Sequence, residues 1–165
     1  MKDGLADLSA KVLRYFARSK MTFAAAESCT GGMAASGVVS VPRASVSFKG
    51  SAVCYCDEAK ISILKVRRKT LDKFYAESPE CAIEMADGAR KIFGADAAFS
   101  TTGFIDSNTG GKPAEFGNTA YVGVSFNGAE AAFEIKFDPL AERDKKRSLV
   151  SYCALEIFLE FVKSK

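Results

Sequence analysis

The chain has 165 residues, of which 48% are hydrophobic and 26% are charged, and its formal net charge is +3. This composition is typical of one soluble globular domain and excludes a disordered chain, and so modest a charge argues against nucleic acid as a partner. No apolar run approaches the about 20 residues of a membrane span, and the start lacks a secretory leader. We therefore expect a cytoplasmic protein that does not bind a membrane.

The absence of histidine limits the chemistry available to the chain. It excludes a Ser-His-Asp or Cys-His triad, so a nucleophile would have to be activated by lysine, a carboxylate, tyrosine or the chain terminus. The odd number of cysteines, five, predicts reduced thiols rather than a disulfide framework. Without histidine these thiols supply too few ligands for a metal site, so we expect no metal.

The first elements along the chain are a helix at 3–18, with apolar residues at helical spacing, and a short apolar strand at 22–26. A polar turn follows, from Glu27 to Gly32, and leads into a helix of small residues at 33–39. Paired glycines allow close backbone approach, and the first amides of a helix lack partners, so the turn could bind an anion or an oxyanion. An ordinary turn with Ser28 or Thr30 as the helix cap is the alternative.

A second strand is predicted at 48–55, followed by a short helix with Asp57 as its N-cap. Lys60 would then lie in the first turn of that helix, where the positive end of the helix dipole disfavours an ammonium ion. An exposed helix lysine is the alternative for Lys60, and an aromatic residue packed on the core is the alternative for Tyr55 at the strand end.

The later elements alternate between helix and strand until a hairpin at Asn127-Gly128, the strongest short hairpin pattern. Helices are predicted at 70–75, at 78–94 and from Leu140 onward, and the second of them begins with Ser78 as N-cap and Pro79 as its first residue. Strands are predicted at 95–102, 119–126 and 129–137, and a long loop at 103–113. The alternation predicts an α/β fold, a three-layer α/β/α sandwich around a mixed, mostly parallel sheet of about five strands with one antiparallel hairpin.

Residues 26–32, Ala-Glu-Ser-Cys-Thr-Gly-Gly, match throughout the motif of the CinA C-terminal domain family, whose stand-alone members are nicotinamide-nucleotide amidases. Residues 55–60, Tyr-Cys-Asp-Glu-Ala-Lys, resemble the family's Tyr-Ser-Asn-Glu-Ala-Lys, and Thr102-Gly103 and the spacing of Arg143 and Arg147 also match. The resemblance covers nearly the whole chain. We expect residues 1–165 to be a single CinA C-terminal-like domain, without the nucleotide-hydrolase domain that precedes it in long members.

The resemblance implies a cofactor-independent hydrolase that deamidates nicotinamide mononucleotide, a small nucleotide substrate, to nicotinic acid mononucleotide and ammonia. Ser28 would attack the carboxamide carbon, and Lys60 would accept the serine proton and return it to the leaving ammonia. Tyr55 would be hydrogen-bonded between or beside them. The resemblance also implies association into a homo-oligomer.

Eight residues are expected to bind the substrate or shape its site. We expect Glu27 to turn away from Lys60, toward backbone amides or the ribose, and the amides near Thr30 to form an oxyanion hole. Arg143 and Arg147, four residues apart on one helix face, are candidate phosphate ligands, since a guanidinium binds phosphate bidentately; a solvated helix face is the alternative. The full set is Glu27, Thr30, Gly31, Gly32, Thr102, Gly103, Arg143 and Arg147.

The chain departs from the family pattern after the third strand. Residues 103–107 read Gly-Phe-Ile-Asp-Ser where the family has Gly-Ile-Ala-Gly-Pro, and the family's next element survives only as Lys112-Pro113 and residues 117–119. Asp106 would repel a phosphate. Two alternatives therefore remain: a non-catalytic nucleotide-binding or regulatory domain, and a hydrolase that uses Cys29 as its nucleophile, with the thiolate favoured by the helix N-terminus.

Overall fold

The computed structural model describes residues 2–106 and 117–165, and their side chains from residue 4 onward. The helices are α1 (Lys2–Arg18), α2 (Met33–Val39), α3 (Asp57–Ser62), α4 (Arg68–Phe74), α5 (Pro79–Ile92) and α6 (Arg143–Lys163). The strands are β1 (Phe23–Glu27), β2 (Phe48–Val53), β3 (Ala97–Phe104), β4 (Thr119–Phe126) and β5 (Ala129–Lys136). Within this part of the chain, no helix is long and apolar enough to cross a membrane.

The sheet has five strands in the order β2-β1-β3-β4-β5. β1 pairs parallel with both β2 and β3, whereas β4 runs antiparallel to β3 and to β5. Four strands thus share one direction and only β4 opposes them, which confirms the predicted mixed, mostly parallel sheet. The carboxyl ends of β1, β2 and β3 meet at one edge, where open α/β sheets usually bind their ligands.

Helices cover both faces of the sheet, as the three-layer prediction requires. β1 is buried on both sides, which is the rule for a central parallel strand. Phe23 faces the core under α1, α2 and α6, where Phe16 and Phe158 stack with ring centroids 5.3 Å apart. Its neighbour Ala24 faces the second core, under α5, with Met85. Successive side chains of β1 therefore point to opposite faces of the sheet and contribute to both hydrophobic cores.

Two local sequence patterns form the predicted structures. The Ser78 hydroxyl accepts a hydrogen bond from the amide of Cys81 at 3.1 Å and so caps α5, with Pro79 as the first helical residue. Asn127 and Gly128 have φ angles of 52° and 78°, which a two-residue hairpin turn with the natural strand twist requires.

Several predicted boundaries are wrong, among them the end of β2, which is Val53 rather than Tyr55, and the start of α4, which is Arg68 rather than Thr70. β3 continues to Phe104, because residues 103–104 still pair with β4, where a loop was expected. α6 begins at Arg143 rather than near Leu140. Asp57 is the first residue of α3 and not its cap; Cys56 precedes the helix with extended backbone. Lys112 and Pro113, which were expected in the loop after β3, lie outside the described residues.

Candidate active site

Ser28 lies in a tight turn at the carboxyl end of β1. Its amide donates to the carbonyl of Thr101 at 2.9 Å, and its own carbonyl accepts from the Gly31 amide at 3.0 Å. Gly31 and Gly32 have φ angles of 60° and 90°, a backbone conformation that favours glycine. Two backbone bonds thus fix Ser28, which is 7% exposed.

Lys60 reaches Ser28 from α3, the helix that follows β2. The parallel register sets Glu27 against Val53, so the segments that leave the two strands lie side by side. The amine Nζ of Lys60 is 3.2 Å from Ser28 Oγ and 3.2 Å from the carbonyl oxygen of Cys54. Lys60 is only 2% exposed. Residues 32 positions apart thereby form a buried serine–lysine pair.

The carboxylate of Glu27 caps the start of α2. It accepts from the amides of Ala34 and Ala35 at 3.2 and 2.9 Å, and from the Thr30 hydroxyl at 2.7 Å. Glu27 is fully buried. Among the described residues, Lys60 donates no hydrogen bond to the Glu27 carboxylate. The expectation that the first amides of this helix point at a ligand is wrong, because Glu27 already uses them.

The turn offers fewer oxyanion donors than the sequence suggested. The Gly31 amide is used by the Ser28 carbonyl, as described above. The Thr30 hydroxyl is equally committed, since it bonds both Glu27 and the hydroxyl of Thr101 at 2.7 Å. The amides of Thr30 and Gly32 remain as candidate donors.

A cleft of about 200 Å³ opens in front of Ser28. Among the described residues it is lined by Ser28, Cys29, Tyr55, Glu77, Arg143 and the segment Gly103–Asp106. Gly103 is required there by packing, because a Cβ at this position would lie 2.4 Å from the Cα of Ala120. Thr102 is buried behind the cleft, and its hydroxyl donates to the carbonyl of Ala76 at 2.7 Å.

Tyr55 lies at the mouth of the cleft and not within the serine–lysine pair. Its side chain is 64% exposed, and its hydroxyl accepts a hydrogen bond from Nη2 of Arg143 at 3.2 Å. Only the backbone carbonyl of Tyr55 faces Lys60, at 3.5 Å. The expected position of the hydroxyl, between or beside Ser28 and Lys60, is therefore wrong: the chain leaves β2 with this side chain directed outward.

α6 carries Arg143 and Arg147 to the same side of the turn, as their spacing predicts. Arg143 forms an ion pair with the carboxylate of Asp106. Arg147 donates from Nη2 to the carbonyl of Thr30 and from Nη1 to Asp144, both at 2.9 Å. Both guanidinium groups thus have protein acceptors.

Two site residues were missed by the sequence analysis. Thr101 accepts from the Ser28 amide and bonds the Thr30 hydroxyl, and the Cys54 carbonyl orients Lys60. Neither belongs to a motif. Thr101 lies at the site because the register of β1 against β3 pairs it with Glu27. That register is a property of the folded sheet and not of the sequence around Thr101.

Cys29 is poorly suited to be the nucleophile. The thiol is 5% exposed, and burial raises its pKa to about 12. It therefore stays protonated near neutral pH, whereas a nucleophilic cysteine needs its thiolate. This observation favours the hydroxyl of Ser28 over the neighbouring thiol.

The fold and the site define a three-layer α/β/α protein with a buried serine–lysine pair at the carboxyl edge of a mixed sheet. The model of the CinA C-terminal domain family matches residues 5–162. The chain belongs to this family, which confirms the resemblance carried by residues 26–32.

Two curated relatives agree with this assignment. A CinA-like protein of Petrotoga mobilis is 35% identical over 162 residues, which cover 98% of this chain and 40% of the relative. A CinA-like protein of Thermotoga maritima is 38% identical over 154 residues, 93% of this chain and 37% of the relative. The chain thus spans at most about two fifths of the length of these relatives.

Solved structures have the same fold. The competence/damage inducible protein CihA of Agrobacterium tumefaciens superposes with a TM-score of 0.86 at 28% identity, over 93% of both chains. The competence damage-inducible protein A of Klebsiella pneumoniae gives a TM-score of 0.85 at 26% identity, also over 93% of both chains.

Proposed function

We propose that the protein is an amidohydrolase that deamidates nicotinamide mononucleotide, or a close pyridine nucleotide, to the corresponding acid and ammonia. The observation that carries this proposal is the 3.2 Å distance between Lys60 Nζ and Ser28 Oγ in a site that is almost closed to solvent. Family membership supports it, because the resemblance implies this activity for stand-alone members. The absence of histidine is consistent with a lysine as the base.

In the first step, Lys60 accepts the hydroxyl proton as Ser28 Oγ attacks the carboxamide carbon. The tetrahedral intermediate collapses when the Lys60 ammonium returns that proton to the amide nitrogen, which leaves as ammonia. The acyl group is then bound to Ser28 as an ester. Water, deprotonated by Lys60, hydrolyses the ester and restores the serine hydroxyl.

The surroundings of Lys60 suit a base. A lysine accepts a proton only as the uncharged amine. The described hydrogen-bond acceptors of Lys60 are the Ser28 hydroxyl and the carbonyls of Cys54 and Tyr55, all neutral. The two carbonyls also aim the amine at Ser28 and accept hydrogen bonds from the transient ammonium.

The charge on the tetrahedral intermediate needs donors near Ser28 Oγ. The amides of Thr30 and Gly32 are the candidates in the turn, since that of Gly31 is already bonded. Loss of one such donor usually costs about a hundred-fold or more in rate. Tyr55 and Arg143 at the cleft mouth would contact the substrate outside its reacting amide.

The proposal is tested by ammonia release from nicotinamide mononucleotide between pH 6 and 9, with wild-type protein, Ser28→Ala and Lys60→Met. We expect both variants to lose activity by about a thousand-fold or more. Lys163→Met is the control, because Lys163 lies in the last turn of α6 and pairs with Glu160, outside the lining of the cleft. It should keep turnover and the melting temperature.

Two results would contradict the hydrolase. One is full activity in Lys60→Met. The other is no ammonia from wild-type protein at any of these pH values although the nucleotide raises the melting temperature, which would favour the non-catalytic nucleotide-binding domain instead.

A further inference from the structure

The two arginines next to the turn already bond protein acceptors through both of their terminal nitrogens. Arg143 uses Nη1 for the Asp106 carboxylate and Nη2 for the Tyr55 hydroxyl. Arg147 uses Nη2 for the carbonyl of Thr30 and Nη1 for Asp144. A guanidinium has five N–H donors and binds phosphate through two parallel ones, so a phosphomonoester would have to share each guanidinium with these partners or displace them.

Asp106 is the most direct competitor. Its side chain lies beyond the end of β3 and lines the same cleft as Ser28, and it is about half exposed. Its carboxylate already pairs with Arg143, which lines the same cleft. An exposed ion pair is weak by itself, but a phosphate beside this carboxylate would also meet like-charge repulsion.

The pyridinium ring is attracted to the Asp106 carboxylate, whereas a phosphate is repelled by it. N-ribosyl nicotinamide carries one positive charge and no phosphate, so the carboxylate attracts it, whereas the 5′-phosphate of the nucleotide adds negative charge near Asp106. The pyridinium charge is common to both compounds, so its attraction to Asp106 does not separate them. Only the repulsion of the phosphate favours the nucleoside over the nucleotide.

We propose that Asp106 determines substrate specificity by taking the place of a phosphate on Arg143, so that the site prefers N-ribosyl nicotinamide to its 5′-phosphate. This inference rests on the proposed function and narrows its substrate class. The reaction is the same: water replaces the amide nitrogen, the carboxylic acid forms and ammonia leaves.

The test compares kcat/KM for ammonia release from the two substrates in wild-type protein and Asp106→Asn, which keeps the side-chain shape and removes its charge. We expect wild-type protein to favour the nucleoside, and the substitution to raise kcat/KM for the nucleotide about tenfold relative to the nucleoside. Glu142→Gln is the control: it removes an exposed carboxylate at the start of α6 that pairs with Lys145 and should leave the ratio unchanged.

A binding measurement separates this inference from the proposed activity. Calorimetry with Ser28→Ala and with Ser28→Ala/Asp106→Asn gives the affinities of both compounds without turnover, so the preference is measured even if wild-type protein releases no ammonia. Tighter binding of the nucleoside that Asp106→Asn reverses supports the inference. Tighter binding of the nucleotide by Ser28→Ala, an equal change for both compounds, or no binding of either would overturn it.

Discussion

Glu27 shows how one buried carboxylate holds the turn that carries Ser28. Its oxygens accept from two amides of α2 and from the Thr30 hydroxyl, and its backbone carbonyl accepts from the Cys54 amide at 2.8 Å. It therefore links the Ser28 turn to the start of α2 and to the end of β2. A buried anion with several N–H and O–H donors is stable in this position, and its loss leaves those donors without partners.

Glu27→Gln should therefore destabilise the protein and slow the reaction together. The amide NH2 group cannot accept from the donors that face a carboxylate oxygen, so we expect the free energy of unfolding to fall by about 1–3 kcal/mol. Urea denaturation measures the loss, and ammonia release measures the effect on turnover. Wild-type stability in this variant would contradict the described network.

Cys29 offers a second test at the level of single residues. Because its thiol is protonated near neutral pH, iodoacetamide at pH 7.5 should not inactivate the protein through Cys29, and Cys29→Ser should retain turnover. Loss of ammonia release in Cys29→Ser with an unchanged melting temperature would revive the thiol as nucleophile.

The same pKa shift predicts how stability depends on pH. Burial raises the pKa values of Cys29 and Cys81 to about 12 from the ordinary thiol value of 9.0, so the folded state retains protons that the unfolded state loses. Their contribution is complete below pH 9.0 and is lost as pH rises toward 12, by about 1.4 kcal/mol per group for each pH unit above 9. Urea denaturation from pH 8 to 10 should show a shallower slope in Cys29→Ser; an equal slope would contradict this assignment.

At the scale of elements, α3 and α6 complete a site that β1 begins. α3 brings Lys60 to Ser28, and α6 brings Arg147 to the Thr30 carbonyl. The guanidinium lies so close to the turn that a Cβ on Gly31 would be 3.2 Å from its Nη2. Arg147 therefore restrains the turn through the Thr30 carbonyl, and Glu27 restrains it through the Thr30 hydroxyl.

Arg147→Lys should consequently reduce turnover more than substrate binding. Lysine keeps the charge but lacks the planar fork that reaches Thr30 and Asp144 together, so the turn loses a restraint. We expect kcat to fall about ten- to a hundred-fold for nucleoside and nucleotide alike, since small displacements of reacting groups are costly. Steady-state kinetics checks this. A rise in KM confined to the nucleotide would instead assign Arg147 to the phosphate.

The sequence predicts those elements whose structure is determined by residues close to one another in the chain. Ser78-Pro79 and Asn127-Gly128 determine their structures through hydrogen bonds and φ angles within a few residues, so their patterns are sufficient. The outward direction of Tyr55 depends on how the chain leaves β2 and on a hydrogen-bond donor 88 positions away, Arg143. No local pattern contains that information.

At the scale of the whole molecule, the sheet determines where the chemistry can occur. Parallel pairing aligns the carboxyl ends of β1, β2 and β3, and the segments after them supply Ser28, Lys60 and Asp106. The fold class follows from the alternation of helical and strand patterns. The meeting of Ser28 and Lys60 follows from strand register and order, which the resemblance to a family could suggest and local residue patterns could not.

The stability of this arrangement depends on the core between the sheet and α6. Phe158 is fully buried and contacts the rings of Phe16, Phe23 and Phe99, with centroids 5.3 to 5.6 Å apart. Phe158→Ala should lower the free energy of unfolding by about 3–5 kcal/mol in urea denaturation. The exposed Phe133, replaced by alanine, is the control and should cost far less.

In the proposed reaction Ser28 forms the covalent intermediate and Lys60 is its base. Mass spectrometry of acid-quenched and digested mixtures of protein and substrate locates the acyl group. It should be on Ser28 in wild-type protein and be absent from Lys60→Met. An acyl group on another residue, or ammonia release by Ser28→Ala at the wild-type rate, would contradict this mechanism.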